Sequence, residues 1–577
     1  MRPGILRAAP AASAATIAWL ALCWLSSAAA QPAAPSAAAP APQDTTTPAA
    51  APPAKTPAAP SDDDCLDCHA TGRKGAAKVT AKDLAQSAHH GQRCVDCHSS
   101  ISELPHAKTL PKVDCDACHR RIAHQISRGM HAAGAHPGAA PTATRPPACV
   151  DCHGSHAMLP AADAAFHAVI SQRCARCHEP AYAGYMQTVH GQAAALGLKT
   201  APACSDCHQS HAARPASDPL SSVSAANLAD TCGACHKGAD VKLTGFDPHP
   251  QPRNARHSRP VYYAHIGMVV LLAGVFGFFG LHTLLWLQRS VIGRLRGELP
   301  RKPHPQPGEP YIRRFRPIDS ALHITLVVSF MALALTGLPL MYSNTPWAHV
   351  LINLFGGPHT ARVIHRVNAA ITFGFFGFHL CHLAYRYLVK GMRFRIFGVD
   401  SLVPNWQDIL DILRNFRWFL YLGPRPQVDR WSYWEKFDYW AVFWGTAIIG
   451  SSGLFMVAPV LFSHVLPGVA FNVAQVLHGE EAILATGFIF TFHFFHNHWR
   501  PEKFPIDISI FIGRLSLARF KEEHPLQYAR LMAEGRLEEL KVPPPSRAAV
   551  VAATIFGYSV IVTGVVLIVL VVLAPAA

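Results

Sequence analysis

The first half of this chain has little from which to build a hydrophobic core. Between Asp62 and about Asn254, large apolar side chains are scarce and Ala, His, Gly and Pro abound. Such a segment cannot bury enough apolar area to offset its ordering entropy, so something else must supply its core. Cysteine is also nearly absent outside one pattern. Of 16 Cys, only Cys23 and Cys381 lie elsewhere, each in an apolar stretch with no partner nearby, which excludes a disulfide framework. Charged residues make up only 15%. The net charge of +15 does not imply nucleic acid, because Lys and Arg sit largely in loops between apolar runs, as on a membrane protein's cytoplasmic face.

What the first half does have is Cys-x-x-Cys-His, seven times. The copies are Cys65/Cys68/His69, Cys94/Cys97/His98, Cys115/Cys118/His119, Cys149/Cys152/His153, Cys174/Cys177/His178, Cys204/Cys207/His208 and Cys232/Cys235/His236. Each is the attachment signature of a c-type haem: two thiols bond the porphyrin vinyl groups, and the His follows as proximal iron ligand. One copy could be half a zinc site, but seven with the His each time predict seven covalent haems.

Low-spin electron-transfer haems need a second axial ligand. His131 follows His119 by twelve residues, and His190 follows His178 by twelve. A Ser-His pair then follows a later motif in each case, ending in His156 and His211. His90 and His106 fill the matching roles more loosely. The distal candidates are therefore His90, His106, His131, His156, His190 and His211, with the seventh from His167, His249 or His257. Surface histidines are the plain alternative.

In chain order, residues 1–30 read as a secretory signal, with an uncleaved anchor as the alternative. Residues 31–61 form an Ala/Pro-rich linker. Residues 62–254 form a heptahaem cytochrome c domain of short helices and loops wrapped around porphyrins. Apolar runs follow at 261–287, 318–342, 361–389, 437–460, 471–498 and 549–574, giving six spans. The first is a connector, 501–548 is a cytoplasmic segment, and 549–574 is a C-terminal packing helix. The expected fold is all-α: a haem-wrapped domain plus a six-helix transmembrane bundle. Arg289 to Arg316, Lys390 to Arg430 and Arg500 to Lys521 make three basic loops, while 343–360 and 461–470 carry no Lys or Arg. The positive-inside rule places the basic loops in the cytoplasm and the Cys-rich segment in the periplasm of a multi-pass bacterial inner-membrane protein.

Ionisable side chains inside spans are costly and usually functional. Here they are His323, His365, His379, His382, His478, His493, His496 and His498. His478 and His493 are roughly 22 Å apart along one helix and stay within about a quarter turn of one face. That separation suits one haem b near each membrane surface. Glu480 and Glu481, beside His478, are candidate proton acceptors, with a structural role as the alternative.

Arg313-Arg314-Phe315-Arg316-Pro317, His323 and Thr336-Gly337-Leu338 resemble the first haem-binding helix of the formate dehydrogenase gamma subunit and hydrogenase cytochrome b family. Ile364-His365-Arg366 resembles its second ligand helix, and Leu477-His478 with His493 resembles its fourth. The resemblance covers about residues 310–500. It implies one haem b held by His365 and His478 and another by His323 and His493. The family's two-ligand spacing is fourteen, against fifteen here to His493 and eighteen to His496. His496 therefore stays an alternative to His493, and His379 to His323. The whole architecture resembles inner-membrane quinol oxidoreductases of metal-reducing bacteria, which fuse a periplasmic multihaem cytochrome c to such a cytochrome b. The resemblance implies oxidation of a quinol, with menaquinol expected, and delivery of electrons to a periplasmic cytochrome. An electron-transfer subunit of a larger complex, an inward-running wire and a multihaem reductase are the other readings.

Overall fold

The computed structural model describes residues 59–73, 76–132, 145–298, 308–389 and 397–574. The signal and the linker up to residue 58 lie outside the described residues, as do Arg301, Lys302, Lys390, Arg393 and Arg395 of the basic loops. The chain divides into two compact units, one ending at His249 and the other running from Pro250.

The Cys-rich unit consists of short helices and turns. Several motifs form one helical turn, as at Cys94–Cys97, Cys149–His153 and Cys204–His208. Helical spacing puts the first Cys, the second Cys and the His on one face. Within these three motifs an Asp caps the turn. Asp96, Asp151 and Asp206 accept the backbone N–H of Arg93, Ala148 and Ala203 at 2.9, 2.7 and 2.7 Å. Phe166, Ile170 and Ala203 make a small apolar cluster.

The second unit is built on long helices: α1 Arg259–Leu295, α2 Pro317–Met341, α3 Pro358–Leu388, α4 Trp406–Phe419, α5 Tyr433–Val457, α6 Val469–Phe488 and α7 Arg547–Val572. Pro317 and Pro358 open α2 and α3, where a missing N–H costs nothing. Ser432 and Glu435 close a capping box on α5. Among the described residues, five helices are long and apolar enough to cross a membrane: α1, α2, α3, α5 and α7. The expected span at 471–498 is not among them. Its α-helical part, α6, carries Asn472, Gln475, His478, Glu480 and Glu481, which lower its apolarity. Beyond Phe488 the backbone widens into π-helix over Ile489–His493 and Phe495–Trp499. α2 packs on α3, and α6 packs on both α5 and α1.

The all-α expectation needs one correction. Tyr311–Arg313 (β1), Arg514–Ser516 (β2) and Lys541–Val542 (β3) form a small antiparallel sheet in the order β2-β1-β3. It draws the residues before α2 and those of the expected cytoplasmic segment into one cap around Ile312, Leu515, Phe520 and Leu531.

Candidate metal centres

Each motif histidine of the Cys-rich unit faces one other histidine. The ring centres lie 6.1 Å apart for His69–His106, 6.1 Å for His98–His156 and 5.8 Å for His119–His89. They lie 6.0 Å apart for His153–His211 and 6.2 Å for His178–His131. For His208–His249 and His236–His190 the separations are 6.1 and 6.0 Å. A metal about 2 Å from each imidazole nitrogen would hold two ring centres roughly 6 Å apart. Stacked aromatic rings also reach such separations, so distance alone decides nothing. The one-to-one assignment carries the weight: seven motif histidines, seven different partners.

Five of the distal candidates, His106, His131, His156, His190 and His211, occupy these positions. His249 makes a sixth partner, and the seventh is His89 rather than the expected His90. His90 turns its Nδ1 back to the Ser87 carbonyl oxygen at 3.2 Å, while its neighbour points at His119. His167 instead contacts Asp206 at 2.7 Å. His249 is seated by Gly184, where a Cβ would fall 2.8 Å from the His249 carbonyl carbon. Its Nδ1 donates to the Ala181 carbonyl oxygen at 2.8 Å, leaving Nε2 to face His208. At seven of these fourteen rings burial favours the neutral form that metal ligation requires. It pulls His190 down to about 4, with His236 adding to the effect, and also lowers His98, His131, His153, His208, His211 and His236.

The two cysteines of a motif are not equally sheltered. All seven first cysteines are half-buried. Among the second cysteines, Cys152 and Cys207 are half-buried, but Cys68, Cys97, Cys118, Cys177 and Cys235 are exposed. At these five motifs the polypeptide half-buries the first thiol and leaves the second exposed. The physical reason is the shortage of large apolar side chains, which leaves little to pack over the far side of each one-turn motif. Cys152 escapes because it packs beside the Phe166, Ile170 and Ala203 cluster.

First cysteines of successive motifs also approach one another. Cys65 and Cys94 are within hydrogen-bonding reach, as are Cys115 and Cys149, and Cys174 and Cys204. Neighbouring attachment points are thus brought close in pairs. Among the described residues, no group of three or more His, Cys, Asp or Glu is arranged to hold a metal ion. The rings meet only in twos, which suits an iron whose four equatorial ligands come from a porphyrin.

The helical unit repeats the arrangement once. His365 on α3 and His478 on α6 have ring centres 6.4 Å apart. His365 Nδ1 lies 3.0 Å from Thr336 Oγ1, and His478 Nδ1 donates to the Ile449 carbonyl oxygen at 3.0 Å. Outer partners of this kind fix a ligand ring and free Nε2. Two glycines make the room. A Cβ on Gly337 would sit 3.0 Å from the His365 ring, and one on Gly453 would sit 3.1 Å from the His478 ring. Thr336-Gly337 therefore serves His365, on another helix.

His323 and His493 line one cavity together with His498, Phe330, Met331 and Phe511. In an unbroken α-helix, fifteen residues would carry His493 about 60° round from His478. The π-helical turn at Ile489–His493 absorbs one residue, so His493 arrives near where a spacing of fourteen would place it. His493 Nδ1 donates to Asp438 Oδ2 at 2.8 Å. His496 is elsewhere, packed against His282, Trp286 and Trp434. His379 contacts the Tyr439 hydroxyl through Nε2 at 2.8 Å, and His382 stacks on Phe378.

Glu480 pairs with His265 Nδ1 at 2.5 Å. Glu481 is 2% exposed, and its Oε2 has no hydrogen-bond partner among the described residues. His265 and fully buried His282 were both missed in the sequence. They fall inside the apolar run 261–287, which reads as a plain connector when only its mean character is considered.

No family model, curated protein or solved structure matches this chain.

Proposed function

We propose that the chain is an inner-membrane quinol oxidoreductase, with menaquinol as its expected donor. It would hold seven c haems and two b haems and deliver electrons to a periplasmic cytochrome. The observation that carries this reading is the pairing of every motif histidine with a second imidazole, repeated between α3 and α6.

Haem, when bound, supplies one-electron carriage. The chain's own residues would do the rest. The fourteen motif cysteines would tether seven covalent haems, and the seven histidine pairs would hold their iron. Two imidazoles assigned to every centre disfavour a reductase acting at one of them. In the membrane, His365 with His478 and His323 with His493 would hold the two noncovalent groups. Quinol oxidation releases two electrons and two protons. Glu481, with its unpartnered carboxylate oxygen, and Glu480, with His265 behind it, are the candidate proton acceptors at the end where α1 begins, and Asp319, His379 and His382 are the candidates at the other end.

The test is haem quantification followed by stopped-flow mixing with a menaquinol analogue. Two noncovalent and seven covalent haems are expected, with the b absorbance band reduced before the c band. A quinol that reduces neither band, while a reduced periplasmic cytochrome reduces c and then b, would reverse the direction.

A further inference from the structure

The two histidine sites of the helical unit differ in what stands behind the ligand ring. At the α3–α6 site the Nδ1 partners are neutral: the Thr336 hydroxyl for His365, and the Ile449 carbonyl with the Ser452 hydroxyl at 3.2 Å for His478. At the other site His493 Nδ1 meets a carboxylate, Asp438 Oδ2, at 2.8 Å, with the Asn497 amide nitrogen also near it at 3.1 Å. Asp438 comes from α5, and both side chains are about four-fifths buried, at 17% and 21% exposure. Lys436, two residues away, is committed to Asp408 at 2.9 Å. The widened helix at Ile489–His493 is what brings the ring to this acid.

A carboxylate accepting Nδ1–H makes the imidazole a more basic ligand. It also places negative charge one ring away from the metal position, in surroundings that screen it poorly. Both effects favour the ferric over the ferrous state, and outer-shell hydrogen bonding is an established lever on haem potential. Neutral partners exert much less of either effect.

We propose that Asp438 is a positioning residue that makes the His323/His493 site the more reducing of the two. Electrons then run downhill from that site to the one held by His365 and His478. Haem groups held at the two sites would exchange one electron at a time, with no bond formed or broken. A quinol oxidised at the His323/His493 end would be the two-electron donor to the first site, giving its two protons to titratable groups at that end, where Asp319, His379 and His382 lie together. The receiving site lies at the end of the helical unit where α1 begins, because His265, seven residues into α1, touches Glu480 beside His478. The proposal rests on reading these four histidines as two haem b sites, and it adds a direction to that reading.

The test is a potentiometric titration of the b absorbance band in purified full-length protein, comparing wild type with Asp438→Asn and Asp438→Glu. Asparagine keeps an acceptor for Nδ1–H and removes the charge. The expected result is an unchanged b:c haem ratio, a higher midpoint for one b haem and an unmoved midpoint for the other. In Asp438→Glu, which keeps the charge, both midpoints stay near wild type. The shift must persist when His365→Ala has removed the other b haem. Unmoved midpoints in Asp438→Asn, or a shift confined to the haem that survives His493→Ala, would overturn the proposal alone. Wild-type protein without two b haems would overturn the haem reading beneath it.

Discussion

The two units solve the same problem by opposite means. The helical unit is held by apolar packing: Met331, Leu338, Phe490 and Phe494 in one cluster, Trp286, Trp418, Phe419 and Trp434 in another. Among its described residues the Cys-rich unit has no core on that scale. Its distant segments meet at the histidine pairs and at a few backbone bonds, such as Ala88 N–H to the Met158 carbonyl at 2.6 Å and Met130 N–H to the Ala213 carbonyl at 2.8 Å. His98 meets His156, and His153 meets His211, each across fifty-eight residues. Where side chains can bury area, the hydrophobic effect fixes the fold. Where they cannot, a ligated group must fix it, and folding becomes conditional on that group.

The largest expected effect follows directly. Expressed without c-type haem attachment, the Cys-rich unit should be digested by protease within the time that leaves the long helices intact. A protected unit in haem-free protein would break the comparison. Limited proteolysis with mass mapping reads the difference.

A smaller effect sharpens it. If the seven motifs carry low-spin c haems as proposed, His89→Ala should turn one of them high-spin, seen as a one-seventh change by electron paramagnetic resonance, while His90→Ala should change none. The reverse result would move the seventh ligand back to His90.

The smallest effect concerns a third way of holding structure, in the cap beside the helices. Burial pushes Asp507 up, but Lys503 at 2.5 Å and Arg519 at 3.1 Å overcome it and hold the carboxylate well below its usual range. A depressed carboxylate contributes stability that is present above the unfolded pKa and lost as pH falls through the folded one. Asp507→Asn would leave Lys503 and Arg519 with Glu523 as their remaining shared carboxylate and should cost about 2 kcal/mol. Thermal unfolding of the variant should depend less on acid pH than that of wild type, with haem content unchanged. An unchanged unfolding midpoint would mean that the cap is held by its apolar cluster alone.

Much of this was legible in the chain itself, and the misses have physical causes. The cysteines and motif histidines were legible because attachment chemistry fixes their spacing within one helical turn. Which thiols the chain covers was not, because shelter comes from segments outside the motif, as Phe166 shelters Cys152 and leaves Cys177 exposed. His365, His478 and His493 stood out because imidazole is costly in an apolar run. His89 against His90 was not legible, since adjacent residues differ only in which way a turn aims them. His265 and His282 were lost in the average of a long apolar stretch. The small sheet was invisible because its strands have two or three residues and are paired across two hundred positions of chain.

The sequence by itself determined the local pattern: seven Cys-x-x-Cys-His turns, the long apolar helices and the histidines inside them. Each depends on residues within a turn or a single helix. Only the tertiary structure decided which imidazole faces which, that Thr336 and Gly337 serve a histidine on another helix, and that a π-helical turn delivers His493 to Asp438. Those are contacts between segments far apart in the chain. They are set by how helices pack and where a backbone widens, and no short-range pattern encodes them.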